Sequence, residues 1–225
     1  MSKSTNLERE QKILETATDL FIYYGYDKTT VGDIVREAGI SKGAFYLHFK
    51  NKDDLIENLL VRELKGYAFN WLDRIEADPM GGTIGGMYKN MLYALQDNPL
   101  MSALLRQDKR ILGSYLRQAN NAFKRPQKQP SSRFKFVTMM QEAGAIRQDI
   151  DANVIAYIMN MLNFGLVAME GTMPQEEIPS TEAVIEGIAI IMDKALTPED
   201  GNYSEAGKNV LKQLVAEIKQ QHGVE

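Results

Sequence analysis

Residues 29–55, TTVGDIVREAGISKGAFYLHFKNKDDL, constrain the fold more than any other stretch of this chain. They read as two short helices joined by a tight turn, followed by the start of a third. Thr30 is suited to cap a helix, and Asp33, three residues on, to close a reciprocal capping box. Val31, Ile34, Val35 and Ala38 then recur at i, i+3, i+4 and i+7, which is one buried face of a helix. Gly39 marks its end, because glycine accepts the left-handed backbone of a C-terminal cap. Ser41 caps a second, very short helix from Lys42 to Leu47. Helix, glycine-containing turn and short helix make a helix-turn-helix, a motif whose second helix enters the DNA major groove.

The side chains of the second helix suit that task. Between Ser41 and Lys52 stand three lysines (Lys42, Lys50, Lys52), His48 and no acid. Gly43 and Ala44 are small enough for the backbone to approach DNA closely. Tyr46 and His48 offer polar tips, while Phe45 and Phe49, four apart, point the other way and pin the helix to its neighbours. Asn51 is placed to cap a third helix with Asp53 and Asp54 in its first turn. The open amides there, together with Lys52, make a phosphate site. The DNA-facing set is therefore expected to be Thr29, Thr30, Ser41, Lys42, Gly43, Ala44, Tyr46, His48 and Lys52. A helical hairpin that binds nothing would leave the acid-free lysine run unexplained.

This stretch resembles the DNA-binding segment of the tetracycline-repressor (TetR/AcrR) family of bacterial regulators. The matching pieces are Thr29-Thr30 before the helix, Asp33-Ile34 within it, AGISKG at the turn, FYLHF, and KDDL after it. The resemblance is specific over Leu7 to Leu60 and weak beyond. It implies a homodimeric DNA-binding regulator with a helix-turn-helix head and a helical second domain that binds a small molecule.

Composition excludes several other classes. The chain has no cysteine, hence no disulfide framework and no thiolate metal site. Only His48 and His222 could offer imidazole, and they lie far apart in sequence. With no His–carboxylate pairing and no metal-ligand spacing, an enzyme, a metal or another cofactor is not expected. No apolar run approaches the length that crosses a bilayer, and the N-terminus MSKSTNLEREQK lacks the apolar core of a signal peptide. A cytoplasmic protein is expected, without a membrane partner. The net charge of −4 argues against a general nucleic-acid coat but not against a sequence-specific binder. What counts is charge within a Debye length of the phosphates, about 8–10 Å, and the Lys42–Lys52 run is local and positive.

Helical periodicity continues on both sides, and no segment reads as a strand, so the expected fold is all-α. Ile13, Leu14, Ala17, Leu20, Phe21 and Tyr24 form one face of a first helix that Gly25 ends. A fourth helix from Lys52 to Glu76 would span roughly 36 Å and link two domains. These are a DNA-binding domain over 1–54 and a helical ligand-binding and dimerisation domain over 55–225. The run GGTIGG, Gly81 to Gly86, invites comparison with a phosphate-cradling loop. No strand precedes it and no Gly-Lys-Ser/Thr follows, so it reads as a loop feeding a helix near Thr83. Arg106 to Arg125 reads as mixed and helical, and PQKQP, Pro126 to Pro130, as a loop. Further helices run from Ser131 to Ala143, from an Asp151 cap to Glu170, from Thr181 to Ala195, and from Ser204 to Gln221.

Val154–Met169 and Val184–Leu196 are apolar over too much of their circumference to be surface helices, and need burial on two sides. The alternative cover within one chain is the last helix. The TetR resemblance supplies a partner instead, since in such proteins the last two helices of the second domain pair with their copies. The same domain carries many Met and aromatic side chains, the material of adaptable pockets. Trp71, Tyr88, Met91, Tyr115, Phe136, Met140, Tyr157, Met161 and Phe164 are the expected ligand-binding set. With no Arg/Lys cluster among them, an apolar or aromatic effector is favoured over a sugar phosphate. The sequence reading is thus a homodimeric repressor that leaves a near-palindromic DNA operator when a small molecule binds. The alternative is an architectural or ligand-independent DNA-binding regulator with the same head.

Overall fold

The structure is a computed structural model that describes residues 3–118, 132–168, 174–199 and 203–222. Its helices are α1 (Lys3–Tyr24), α2 (Val31–Glu37), α3 (Lys42–Tyr46), α4 (Lys52–Ala77), α5 (Ile84–Gln96), α6 (Pro99–Arg106), α7 (Lys109–Leu112), α8 (Ser132–Glu142), α9 (Ala152–Ala168), α10 (Thr181–Leu196) and α11 (Ser204–His222). Two short 3₁₀ turns, Gly113–Arg117 and Gln175–Glu177, complete the order, and no strand occurs among the described residues. The loop read at Pro126 to Pro130 lies outside the described residues, as does Met169.

Two compact units share the chain. The first holds Met1–Tyr67 with Asn98–Pro126, the second Ala68–Asp97 with Gln127–Glu225. The first unit is therefore larger than the 1–54 head. Its core joins Ile13, Ala17 and Phe21 of α1, Ile34 of α2, Phe45 of α3 and Leu55, Ile56 and Leu59 of α4, all fully buried. Each of these side chains larger than alanine contributes roughly 1.5–3 kcal/mol by leaving water. Leu100, Leu112 and Tyr115 enter the same core from a segment more than forty residues further on. The Tyr26 amide donates to Ile111 O at 2.8 Å, and the Ser114 amide and hydroxyl both donate to the Asp27 carboxylate. Gly25 must be glycine: its φ is +86°, and a Cβ there would lie 2.3 Å from Arg110 O.

Residues 106–125, expected to be mixed and helical, are interrupted where they are described. Gln107 adopts φ 49° and ends α6, Asp108 caps the four-residue α7, and Gly113 opens the 3₁₀ turn. The polypeptide turns twice so that Leu112 and Tyr115 both point into the first core.

In the second unit, the glycine run is a crossing point rather than a ligand cradle. Thr83 caps α5, and Asp193 of α10 accepts from the Gly85 amide at 2.7 Å and the Thr83 hydroxyl at 3.0 Å. The protein's own carboxylate thus occupies the positive end of α5, where an anion is stabilised. A Cβ on Gly85 would lie 2.2 Å from Ala189 O, and one on Gly82 1.7 Å from Ser204 O, so the backbones touch.

α9 and α10 each bury one side in the second core, through Ile155, Ala156 and Met159 and through Ile185 and Met192. Their other sides stay open. Val154, Tyr157, Ile158 and Met161 form an exposed i, i+3, i+4, i+7 stripe on α9, and Ile190 and Ile191 are exposed on α10. α11 covers neither set.

Candidate nucleic-acid interface

The helix-turn-helix is built from local hydrogen bonds. The Thr30 hydroxyl accepts from the Asp33 amide at 3.2 Å and the Asp33 carboxylate accepts from the Thr30 amide at 3.0 Å, closing the capping box. Gly39 takes φ +63° and turns the chain. Ser41 Oγ then accepts from the Ala44 amide at 3.1 Å and starts α3. Asn51 Oδ1 accepts from the Asp54 amide at 2.8 Å and starts α4.

The orientation of α3 follows from its two phenylalanines. Phe45 and Phe49 are buried, their ring centroids 5.8 Å apart. Leu47 keeps right-handed helical dihedrals, so the turn continues past the formal end of α3. At about 100° per residue, Gly43 and Leu47 lie roughly opposite Phe45, with Tyr46 on one side of them; Lys42, in the first turn, is exposed. The exposed face is accordingly Ser41, Lys42, Gly43, Tyr46 and Leu47, with Ala44 half-buried at its edge and exposed Thr30 at the start of α2. Of the expected DNA-facing set, Thr30, Ser41, Lys42, Gly43, Ala44 and Tyr46 are thus on or beside one outer surface. Beside α3, Arg9, Gly39, Ile40, Ser41, Gly43, Ala44 and Leu47 line an open concavity of about 530 Å³.

Three expected members are not there. Thr29 is 2% exposed, and its hydroxyl donates to Gly25 O at 2.9 Å, bracing the turn from α1. His48 turns its ring inward: the side chain is 3% exposed, with Nδ1 3.6 Å from the Glu10 carboxylate. Lys52 also turns inward. Its ammonium donates to Tyr26 O at 2.7 Å and Thr29 O at 2.9 Å, and sits 4.0 Å from the Tyr26 ring centroid. Partial burial lowers the Lys52 pKa, against the pull of Asp27 and Asp53. The cation expected on a phosphate instead ties the α1–α2 turn to α4. Tyr26 completes that joint by donating to Asp53, and its phenol is pushed well above the usual range by burial and by that carboxylate.

Leu47 was missed as an outward residue: reading it as the end of the helix concealed that it stands opposite Phe45. The Phe45/Phe49 spacing is the signal that finds it.

The expected ligand-binding residues divide. Tyr88 and Met140 are buried in the second core, and Trp71, Met91 and Phe136 pack against it. The Trp71 indole donates to Met87 O at 2.9 Å. Burial pushes the Tyr88 phenol up to about 12. Tyr115 is instead in the first unit's core, its hydroxyl donating to Glu57 at 2.5 Å. The 3₁₀ turn that carries it folds onto the head. Tyr157 and Met161 lie on the exposed stripe of α9, 67% and 56% accessible, because a helix with one face in the core must turn the opposite face out. The Phe164 side chain lies outside the described residues.

Comparison with known proteins follows the same geography. Residues 13–59 match the sequence model of "Bacterial regulatory proteins, tetR family". The HTH-type transcriptional regulator YerO of Bacillus subtilis, itself described as uncharacterized, is 40% identical over 74 residues, 33% of this chain and 25% of that protein. The probable acrEF/envCD operon repressor of Escherichia coli K12 is 36% identical over 62 residues, 28% of each chain. The chain thus matches about a quarter of the length of these curated relatives. A TetR-family transcriptional regulator from Haemophilus influenzae has the same fold at TM-score 0.52 and 16% identity, over 88% of this chain and all of that one. No helix among the described residues is long and apolar enough to cross a membrane.

Proposed function

Because its head belongs to the tetR family of bacterial regulatory proteins, we propose that this chain is a homodimeric transcriptional repressor that leaves its operator when a small molecule binds. The observation that carries the DNA-binding part is the outer face of α3. It is free of acids, holds Lys42 and Tyr46 exposed around Gly43, and is anchored from behind by Phe45 and Phe49. Such a helix end fits the major groove, with Lys42 near phosphate and Tyr46 near base edges. Repression rather than activation follows the description of the E. coli relative.

Dimerisation is supported by the open apolar stripes of α9 and α10. Large apolar stripes mark association surfaces. A twofold dimer would set two heads about 34–36 Å apart, on the half-sites of a near-palindrome. The effector is an apolar or aromatic molecule, held near Trp71, Tyr88, Met91, Phe136 and Met140, whose cluster is rich in soft, polarisable side chains. Its signal passes along α4, which starts in the head and ends in the second unit. Ligand that prefers the non-binding form shifts the population away from DNA.

The test is selection of bound duplexes from a random-sequence library by the full-length protein. The reading predicts an enriched inverted repeat, bound as a dimer, and fails if no sequence is enriched. A small-molecule thermal-shift screen with and without that duplex then tests the effector. Stabilising compounds that release DNA support it, and stabilisation by DNA alone points to a ligand-independent regulator.

A further inference from the structure

Leu47 is 77% exposed, more than any other large aliphatic side chain among the described residues. A single exposed leucine on a surface is ordinary, so its position carries the argument. It projects opposite the Phe45 anchor, between Gly43 on one side and half-buried Ala44 on the other. Its backbone is fixed: the Leu47 amide donates to Gly43 O at 3.2 Å, and the Phe49 amide to Phe45 O at 3.0 Å. The side chain therefore stands on the face that the proposed function turns toward DNA, where a polar reader would be the usual equipment.

An apolar side chain has no hydrogen bond to offer a base edge. In the major groove the apolar group on offer is the C5-methyl of thymine. Ala44 and Ile40 extend the apolar surface from Leu47 along one side of the concavity beside α3, and Gly43 leaves room for close approach. We propose that Leu47, backed by Ala44, is a specificity-determining residue that reads a thymine methyl in each half-site. The proposal rests on the DNA-binding reading above and adds which base chemistry the head selects.

Burying one methyl-sized group corresponds to about fourfold in affinity. The experiment uses the full-length protein and the duplex it enriches from a random library, resynthesised with uracil in place of one thymine at a time. Uracil keeps every hydrogen-bonding group and lacks only the methyl. Uracil in one half-site should weaken wild-type binding about fourfold, and in both half-sites about sixteenfold, and Leu47→Ala should bind the thymine and uracil duplexes equally. Leu47→Gln, of similar length but polar, should lose the difference too. Wild type indifferent to uracil at every position, or a Leu47→Ala variant that still prefers thymine, would overturn the proposal while leaving DNA binding intact. Failure to enrich any duplex would overturn the DNA-binding reading itself, and the proposal with it.

Discussion

Lys52→Ala should destabilise the head and barely change the salt dependence of DNA binding, and Lys42→Ala should do the reverse. The two lysines are ten residues apart in one acid-free run, yet the structure separates their roles. Lys52 donates to two backbone carbonyls, of Tyr26 and Thr29, at 2.7 and 2.9 Å, and lies over the Tyr26 ring. Hydrogen bonds to a charged group contribute about 1.5–3 kcal/mol each, and an exposed cation–π contact about 0.5–1 kcal/mol. At the low ends these come to roughly 3.5 kcal/mol. Partial desolvation of the ammonium opposes part of this, leaving about 2 kcal/mol. For a chain of this size that lowers the melting midpoint by about 4–8 °C. Lys42 is exposed, so its removal should leave the midpoint unchanged. It should instead flatten the plot of log affinity against log salt by about one for each half-site. Calorimetry of the full chain and fluorescence polarisation at several salt concentrations measure both. A Lys52→Ala variant that melts like wild type and loses as much salt slope as Lys42→Ala would refute the inward assignment.

Further outcomes are expected from other parts of the molecule. Ile191→Asp or Met161→Lys changes a side chain exposed in the single chain, so each should fold. An unpaired charge buried in the interface costs several kcal/mol, so light scattering should give twice the chain mass for wild type and one chain mass for these variants. A monomeric wild type would end the dimer reading. Ile188 and Leu162 pack against the second core, so a charge there should unfold the unit rather than merely split a dimer. Gly82→Ala puts a methyl 1.7 Å from Ser204 O and should lower stability by about 1–3 kcal/mol, which an unchanged denaturation curve would contradict. Burial alone would raise the Asp78 carboxyl, but Lys89, Asn90 and the Met80 amide outweigh it and hold it below the usual range. Its stabilising contribution is therefore present above about pH 4 and fades as pH falls through its folded value. Asp78→Asn should flatten the acid limb of a melting-midpoint profile, and an identical limb would remove Asp78 from it. A compound found to release DNA should change Trp71 emission at the concentration that releases it; release with a silent Trp71 would place the effector elsewhere.

Much of this molecule was legible along the chain because the deciding contacts lie within one helical turn. Thr30 with Asp33, Ser41 with Ala44 and Asn51 with Asp54 all fall where the residue pattern puts them. A cap is satisfied by amides two or three residues away. The same locality made the helix-turn-helix readable, along with the lysine-bearing outer face of α3 and the excess apolar surface of α9 and α10. What the sequence could not determine are contacts between residues distant along it. Lys52 bonds to carbonyls 23 and 26 residues earlier, and Asp193 caps a helix 108 residues before it. Residues 98–117 complete a core begun at residue 13, which drew Tyr115 away from the expected ligand set. A lysine or aspartate pattern reads the same whether the side chain meets solvent, phosphate or a carbonyl, since charge type is local and partner choice is not. Only the tertiary structure decided which cations remain free to meet DNA, because folding brings those carbonyls within reach of Lys52 and leaves Lys42 in water.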